Sequence, residues 1–429
     1  MLKSKIHLNL LVVLLVLFHQ PAFSSLTAAE FKSAQELLRQ SLHFYNDAFR
    51  DPQSGQYLDA ISLQRGAVRE TNSSIASTGM GLVSLALGDA TGDIAQAQVL
   101  AVQTLSRLLN PAYSKRSSAG WFRHWFNAHD GSDNSMSRAD GYSTVDTAIL
   151  AAGAVLSANY FRERKKDPKN SLQILANRLL QSVRWASAIS DADLGKLYLN
   201  YDLQTEKPQL STSKFNEYIL VACMGKLAEE KRGEFGPMSR FWRRHYAQTS
   251  LLPKKIFRTK SESIELLTDY PLHFLSSFTI QFAYYLCGDV NSSPDYRRYF
   301  KNAMRADRAW FRQQSINRTG YWGLGAGQAL NDQYAANAIS KNPDLIVSPH
   351  IIAGFIPAAP EVLRDLLRLQ KDNLCTYSYG EHKFLWRCTL LDFNNRLDRV
   401  QSIDFSSMFL GLAVLHPSVG GSFYRTYSP

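Results

Sequence analysis

The sequence predicts an all-α protein built as a helical toroid, an (α/α)6 barrel with short β-hairpins in its loops. Three observations carry that expectation. About twelve stretches have helical periodicity. Stretches that are apolar on nearly every face are followed, some tens of residues later, by amphipathic ones, as inner and outer helices of two rings would be. Nothing between Ser25 and Pro429 reads as a linker, so one domain over residues 25–429 is expected in place of two all-α domains.

Residues 1–24 carry the marks of a secretory signal: Lys3 and Lys5, an apolar run from Leu8 to Phe18, and Ala22-Phe23-Ser24 with small residues at the −3 and −1 positions. The apolar run is shorter than the ~20 residues of a spanning helix. Cleavage near Ser25 is therefore expected, with no membrane span left afterwards and a periplasmic or secreted location. Thr27-Ala28-Ala29-Glu30 then reads as a capped helix start, followed by Phe31, Leu37, Leu38, Leu42 and Tyr45 on one face. The helix ends before Asp51-Pro52, and Ser54 to Asp59 is a turn with a short extended piece.

Ser73 to Leu87 is apolar all round and must be buried. Ile94 to Leu109 is its polar-faced partner, and Asn110-Pro111 opens a long loop. Ser143 to Phe161 is again almost wholly apolar; Leu172 to Ile189 is amphipathic, and Leu197 to Tyr201 alternates like a short strand. Ser213 to Leu227 is an apolar helix with Asn216 and Glu217 near its start. An aromatic and basic piece, Phe241 to Tyr246, and a polar stretch, Lys254 to Ser263, follow it. Leu272 to Leu286 is apolar and Tyr296 to Phe311 amphipathic. Gly320-Tyr321-Trp322-Gly323-Leu324-Gly325-Ala326-Gly327 is a glycine-rich aromatic loop without phosphate-binding spacing. Ser348-Pro349-His350 leads into Ile351 to Ile356, Pro360 starts a helix through Leu369, Lys383 to Phe393 suggests a hairpin strand, and a last helix runs from Ser402 to Leu415.

Formal charge is +11, falling to +9 without Lys3 and Lys5. The densest basic runs, Arg162-Glu163-Arg164-Lys165-Lys166 and Arg240-Phe241-Trp242-Arg243-Arg244-His245, read as solvated helix ends, and export argues against nucleic acid. The cysteines are Cys223, Cys287, Cys375 and Cys388. None has CxxC spacing, so no zinc or redox motif is expected. In an oxidising compartment Cys375 and Cys388 can close a short loop, although spacing does not settle pairing. Cys223 and Cys287 lie in apolar runs and are expected as buried thiols. No cofactor or metal is called for.

The stretch densest in chemistry runs from Gly120-Trp121-Phe122-Arg123-His124-Trp125-Phe126-Asn127 to Ser143-Thr144-Val145-Asp146-Thr147-Ala148. It places aromatic rings, a histidine and the acids Asp140 and Asp146 in a Gly/Ser/Asn-rich loop that enters an apolar helix. Aromatic platforms beside carboxylates suit a sugar cleft.

Trp121-Phe122-Arg123-His124-Trp125, Ser143 to Ala148, Phe215-Asn216-Glu217-Tyr218, Gly320 to Leu324 and Ser348-Pro349-His350 occur in the order seen in the glucoamylase-like domain family. The chain resembles that family over most of its mature length. The resemblance implies an (α/α)6 barrel akin to the endo-β-1,2-glucanases of glycoside hydrolase family 144 and to a domain of cyclic β-1,2-glucan synthases. It implies an enzyme acting on O-glycosyl bonds of a β-glucan, β-1,2-linked. There are departures. An acid usual just upstream of Ser143 is replaced by Gly141 with Asp140 nearby, a usual Ser-Asp-Gly reads Gly325-Ala326-Gly327-Gln328, and a His-Gln element is missing around Pro271-Leu272-His273. Two alternatives stay open, a noncatalytic envelope protein that binds glycan on a degenerate toroid, and a transglycosylase or lyase.

Glycoside hydrolysis needs one carboxylic acid to protonate the leaving oxygen and a second carboxylate to activate water or attack the sugar. Glu217 heads a helical stripe of Leu220, Val221 and Met224, where desolvation keeps a proton on, so it is the candidate general acid; a solvated first-turn glutamate is the plain reading. Asp146, three residues after Ser143, is a candidate base or nucleophile and equally the acidic partner of a capping box. Asp140, on a loop free to move, can activate water or be an ordinary turn residue. Trp121, Trp125, Tyr142, Tyr321 and Trp322 are candidate sugar platforms. His124 and His350 are candidate donors to sugar hydroxyls. Asp404 resembles a family acid near the last helix, and a Ser-x-Asp helix start explains it as well.

Overall fold

The computed structural model describes residues 26–429 apart from 65–69, 165, 168, 213–214, 271 and 331, so the segment read as a signal, 1–24, lies outside the described residues. In chain order the helices that build the fold are α1 (Ala28–Phe44), α2 (Ile75–Thr91), α3 (Ala97–Leu108), α4 (Thr144–Glu163), α5 (Ser171–Gln181), α6 (Ile219–Lys231), α7 (Pro237–His245), α8 (Ser277–Leu286), α9 (Pro294–Arg312), α10 (Pro349–Gly354), α11 (Leu363–Asp372) and α12 (Ser402–Leu412). The even-numbered helices are the apolar ones, and they are buried along most of their length. Each packs on the next, and α12 returns to α2, so they close a ring. The odd-numbered helices lie outside it: α1 rests on α12, α3 on α2, α5 on α4, α7 on α6, α9 on α8 and α11 on α10. This is a helical toroid.

Small residues let the ring close tightly. A Cβ on Gly153 of α4 would lie 2.1 Å from the Gly79 carbonyl oxygen of α2, so neither helix tolerates a side chain there. Capping follows the sequence at the outer ring's start, where Thr27 and Glu30 form the expected capping box.

Short strands gather where the inner helices begin. Asn72–Ser74 pairs with Trp125–Asn127, Ala60–Ser62 with Arg399–Gln401, and Ile346–Val347 with Cys388–Thr389. Tyr142–Ser143 pairs with both Phe122–Arg123 and Asn200–Tyr201. The loops at this end are thereby stapled to the first turns of α2, α4, α10 and α12. The chain's last residues cover the other end, where Asn159 donates to the Tyr427 carbonyl (3.0 Å) and Ser428 to the Tyr285 carbonyl (2.6 Å).

Several expectations need correction. The helix expected from Ser213 begins at Ile219, because Phe215 takes a left-handed conformation (φ 65°) and the Asn216 side chain accepts the Tyr218 amide, making a turn. The helix expected through Ile189 stops at Gln181, and a 3-10 turn follows at Trp185–Ala188. The polar stretch after Lys254 is a hairpin, Lys254–Arg258 paired with Ser263–Leu267. Cys223 and Cys287 are not free thiols but a disulfide: neighbouring inner helices bring their Cα atoms to 6.4 Å. Cys375 and Cys388 are also bonded. Among the described residues no helix is long and apolar enough to cross a membrane.

Candidate active site

Asp146 occupies the first turn of α4. The Ser143 hydroxyl accepts the Asp146 amide (3.2 Å) and donates to its carboxylate, so the serine caps the helix and orients the acid at once. The expected reciprocal capping box is not what forms. The Asp146 carboxylate turns to His124, whose Nε2 is 3.4 Å from Oδ2.

His124 lies between the strand residues Arg123 and Trp125, its backbone amide bonded to the Gly141 carbonyl (3.1 Å) and its ring stacked on Trp125 with centroids 3.6 Å apart. Its Nδ1 meets Asp140 Oδ2 at 2.5 Å. Asp140 is therefore not a free loop residue. It ends a short helix, Ser135–Asp140, capped by Asn134, and its carbonyl accepts from the Asn200 side chain (2.8 Å). Gly141 follows with φ 74°, and a Cβ there would lie 2.2 Å from the Tyr201 carbonyl oxygen. No acid fits at that position, and Asp140 supplies the carboxylate instead.

Although burial disfavours its charge, the carboxylates of Asp146, Asp140 and Asp59 raise the His124 pKa to about 9. It is an imidazolium at neutral pH. Asp59, which sequence reasoning passed over as part of a turn, faces the same cluster. Burial pushes its carboxyl up, His124, the Trp125 indole and Arg399 pull it down, and Asp146 pushes it up again. The signal that could have exposed it is long-range: Asp59 precedes the strand Ala60–Ser62, which pairs next to α12 more than 300 residues away.

Glu217 sits in the turn before α6 and not on the helix. Burial raises its pKa, the negative charge of Asp146 raises it further, and a bond from Thr279 of α8 opposes them. Tyr218, also passed over, senses Glu217, Asp146 and Asp140 together. The structure thus brings Glu217, Asp146, Asp140, His124 and Trp125 to one place at the N-terminal ends of α4, α6 and α8, and adds Asp59, Tyr218 and Thr279.

Asp404, in the first turn of α12, is 1% exposed. Burial pushes its pKa up to about 7 despite Arg387, with the Asp59 charge acting in the same direction. The Tyr334 hydroxyl reaches it at 3.3 Å, and Tyr334 itself is exposed, making it a rim aromatic missed in the sequence.

Five of the expected sugar contacts belong elsewhere. Trp121 is buried against Trp185 and Tyr201, its indole N–H bonded to Ser187. Trp322 is locked between the rings, donating to Asp365 of α11 (2.8 Å) with Arg308 of α9 over its face. Tyr321 is buried with its hydroxyl bonded to Asp372. Tyr142 borders a separate surface hollow with Arg116, Ser117 and Gly120. His350 is buried, stacked on Trp386, and held neutral by burial and by Arg387. The four aromatic residues each adjoin a glycine or serine, a pattern shared by cleft platforms and by core rings under tight turns. Trp125, half-exposed, remains a platform candidate.

Among the described residues no cluster of His, Cys, Asp and Glu forms a metal site. What the arrangement can do is acid–base work: a buried glutamic acid whose proton is held more tightly than usual stands beside two aspartates paired with an imidazolium.

No family model and no curated protein matches the chain. Solved structures do. A glucoamylase-like protein of Bacteroides caccae superposes with a TM-score of 0.74 at 17% identity, over 92% of this chain and 95% of its own. An endo-β-1,2-glucanase of Chitinophaga pinensis, solved with sophorotriose and glucose, gives 0.74 at 17% identity over 94% and 95%. An endo-β-1,2-glucanase of Talaromyces funiculosus, solved with β-1,2-glucan, gives 0.67 at 12% identity over 92% and 85%. The chain therefore shares the helical toroid fold of glucoamylase-like proteins and endo-β-1,2-glucanases.

Proposed function

We propose that the chain is an exported glycoside hydrolase on an (α/α)6 barrel, cleaving a β-1,2-linked glucan. Glu217 is the general acid, and Asp146, with Asp140 as the other candidate, is the base or nucleophile. One observation carries this reading: Glu217 is desolvated beside Asp146, and both effects raise its pKa, which favours the proton-bearing form that a donor needs. Trp125 and Tyr334 offer rings on which sugars stack. Two disulfides between four cysteines support an oxidising compartment, periplasmic or extracellular.

The test is incubation of the mature protein with linear and cyclic β-1,2-glucans and with other glucans. Release of β-1,2-oligosaccharides is expected, and Glu217→Gln should lower kcat by roughly 10²–10⁴-fold, the usual share of a general acid. Release from none of the glucans overturns the proposal. Product anomers tell inversion from retention, and product masses separate hydrolysis from lyase or transfer chemistry.

The ion pairs of Asp140 and Asp146 with His124 favour a second reading, in which the aspartates hold the cleft together and the protein binds glycan without cleaving it. Calorimetric binding that is unchanged in Glu217→Gln, with no turnover by either protein, would establish it.

A further inference from the structure

His124 presents both ring nitrogens to carboxylates, and those carboxylates come from different elements. Asp140 closes the short helix, Asp146 opens α4, and Asp59 faces the ring from the segment before Ala60–Ser62. On its remaining face the ring is stacked against Trp125. Three carboxylates this close, with Glu217 beside them, repel one another unless a cation or protons intervene. Among the described residues only His124 stands within ion-pair distance of both Asp140 and Asp146, and stacking on Trp125 fixes the plane of its ring.

We propose that His124 is a positioning residue whose imidazolium clamps Asp140 and Asp146 into a fixed anion pair, keeping Asp146 ionised opposite Glu217 without touching the scissile bond. The proposal rests on the hydrolase reading for its catalytic consequence and on geometry alone for the clamp. Both ring nitrogens then carry protons: Nδ1–H donates to Asp140, and Nε2–H faces Asp146 at ion-pair distance. When the imidazolium is removed, the carboxylates lose the positive charge between them, and the one facing Glu217 is protonated at a higher pH.

The clamp is tested in the unliganded full-length mature protein by the histidine C2–H resonance, assigned with His124→Gln. A titration midpoint well above 6.5, falling by at least half a unit in Asp140→Asn, is expected. A midpoint at or below 6.5 overturns the clamp, whether or not any glucan is cleaved. The catalytic consequence is tested by the pH–rate profile on β-1,2-glucan. In His124→Gln the acid limb of kcat should move up by about one unit while KM changes less than threefold. A lowered kcat with an unmoved acid limb overturns the positioning role and leaves His124 a structural residue. Absence of turnover by the unmodified protein sinks the hydrolase reading alone, because the resonance still decides the clamp.

Discussion

Asp307, on the outer helix α9, accepts the Leu324 amide and the Ser277 hydroxyl, each at 2.9 Å, and so fastens the glycine-rich loop to the first residue of α8. Burial pushes its pKa from 3.8 up to about 7, against the pull of those two bonds. The sign follows from linkage: a carboxyl protonated more readily in the fold contributes stability fully present below pH 3.8 and lost as pH rises through about 7. Asp307 alone should therefore contribute a decline in unfolding free energy between pH 4 and 7, with a slope of at most ~1.4 kcal/mol for each pH unit, to which Asp404 adds its own. Asp307→Asn keeps an acceptor in place and should flatten that decline, whereas Asp307→Ala strands two buried donors and should cost about 2–4 kcal/mol. A pH profile unchanged in Asp307→Asn would show that the slope comes from other groups. At this scale the sequence marked Glu217, Asp146, Asp140, His124 and Trp125, because acids and rings in polar loops are visible one residue at a time. It missed Asp59 and Tyr334, which join the site only through the pairing and packing around α12. It promoted Trp121 and Trp322, whose burial depends on partners such as Trp185 and Asp365, distant along the chain.

Cys223 of α6 and Cys287 at the end of α8 join neighbouring inner helices across a separation of 64 residues. A loop of that length is worth ~4 kcal/mol on the chain-entropy account. The Cys223→Ala, Cys287→Ala double variant should accordingly unfold at a lower denaturant concentration, and reduction, which also opens Cys375–Cys388, should lower the wild-type midpoint at least as far. Equal midpoints for oxidised and doubly substituted protein would show that the bond contributes nothing. Helices were the most legible elements, since a segment apolar all round has few other places to go than the middle of a ring. Their ends were less so. The start of α6 depends on the left-handed Phe215, a conformation that no propensity assigns to phenylalanine, and it moved Glu217 off the helix. Pairing of the inner cysteines was illegible because it needs α6 and α8 to be neighbours.

At the scale of the whole molecule, charge is distributed against its own total. The chain carries +11, yet the end of the ring where the inner helices begin gathers Asp59, Asp140, Asp146, Glu217 and Asp404. The positive ends of the helix dipoles point there and lessen the repulsion among these acids. Such a cleft suits a neutral sugar whose reacting ring gains positive charge, and it opposes an anionic one at short range. Neutral β-1,2-glucan should then bind with a KM that changes less than about twofold between ~20 and ~500 mM NaCl, because no long-range charge attraction is there to screen. A carboxymethylated β-1,2-glucan of equal length should inhibit its turnover with a Ki above the KM of the neutral polymer. The basic exterior draws the anionic chain to the surface at low salt, while the acids keep it out of the cleft, so added salt should narrow the difference. A Ki for the anionic polymer below the KM of the neutral one, rising steeply with salt, would mean that the basic surface and not the acid cluster receives the polymer.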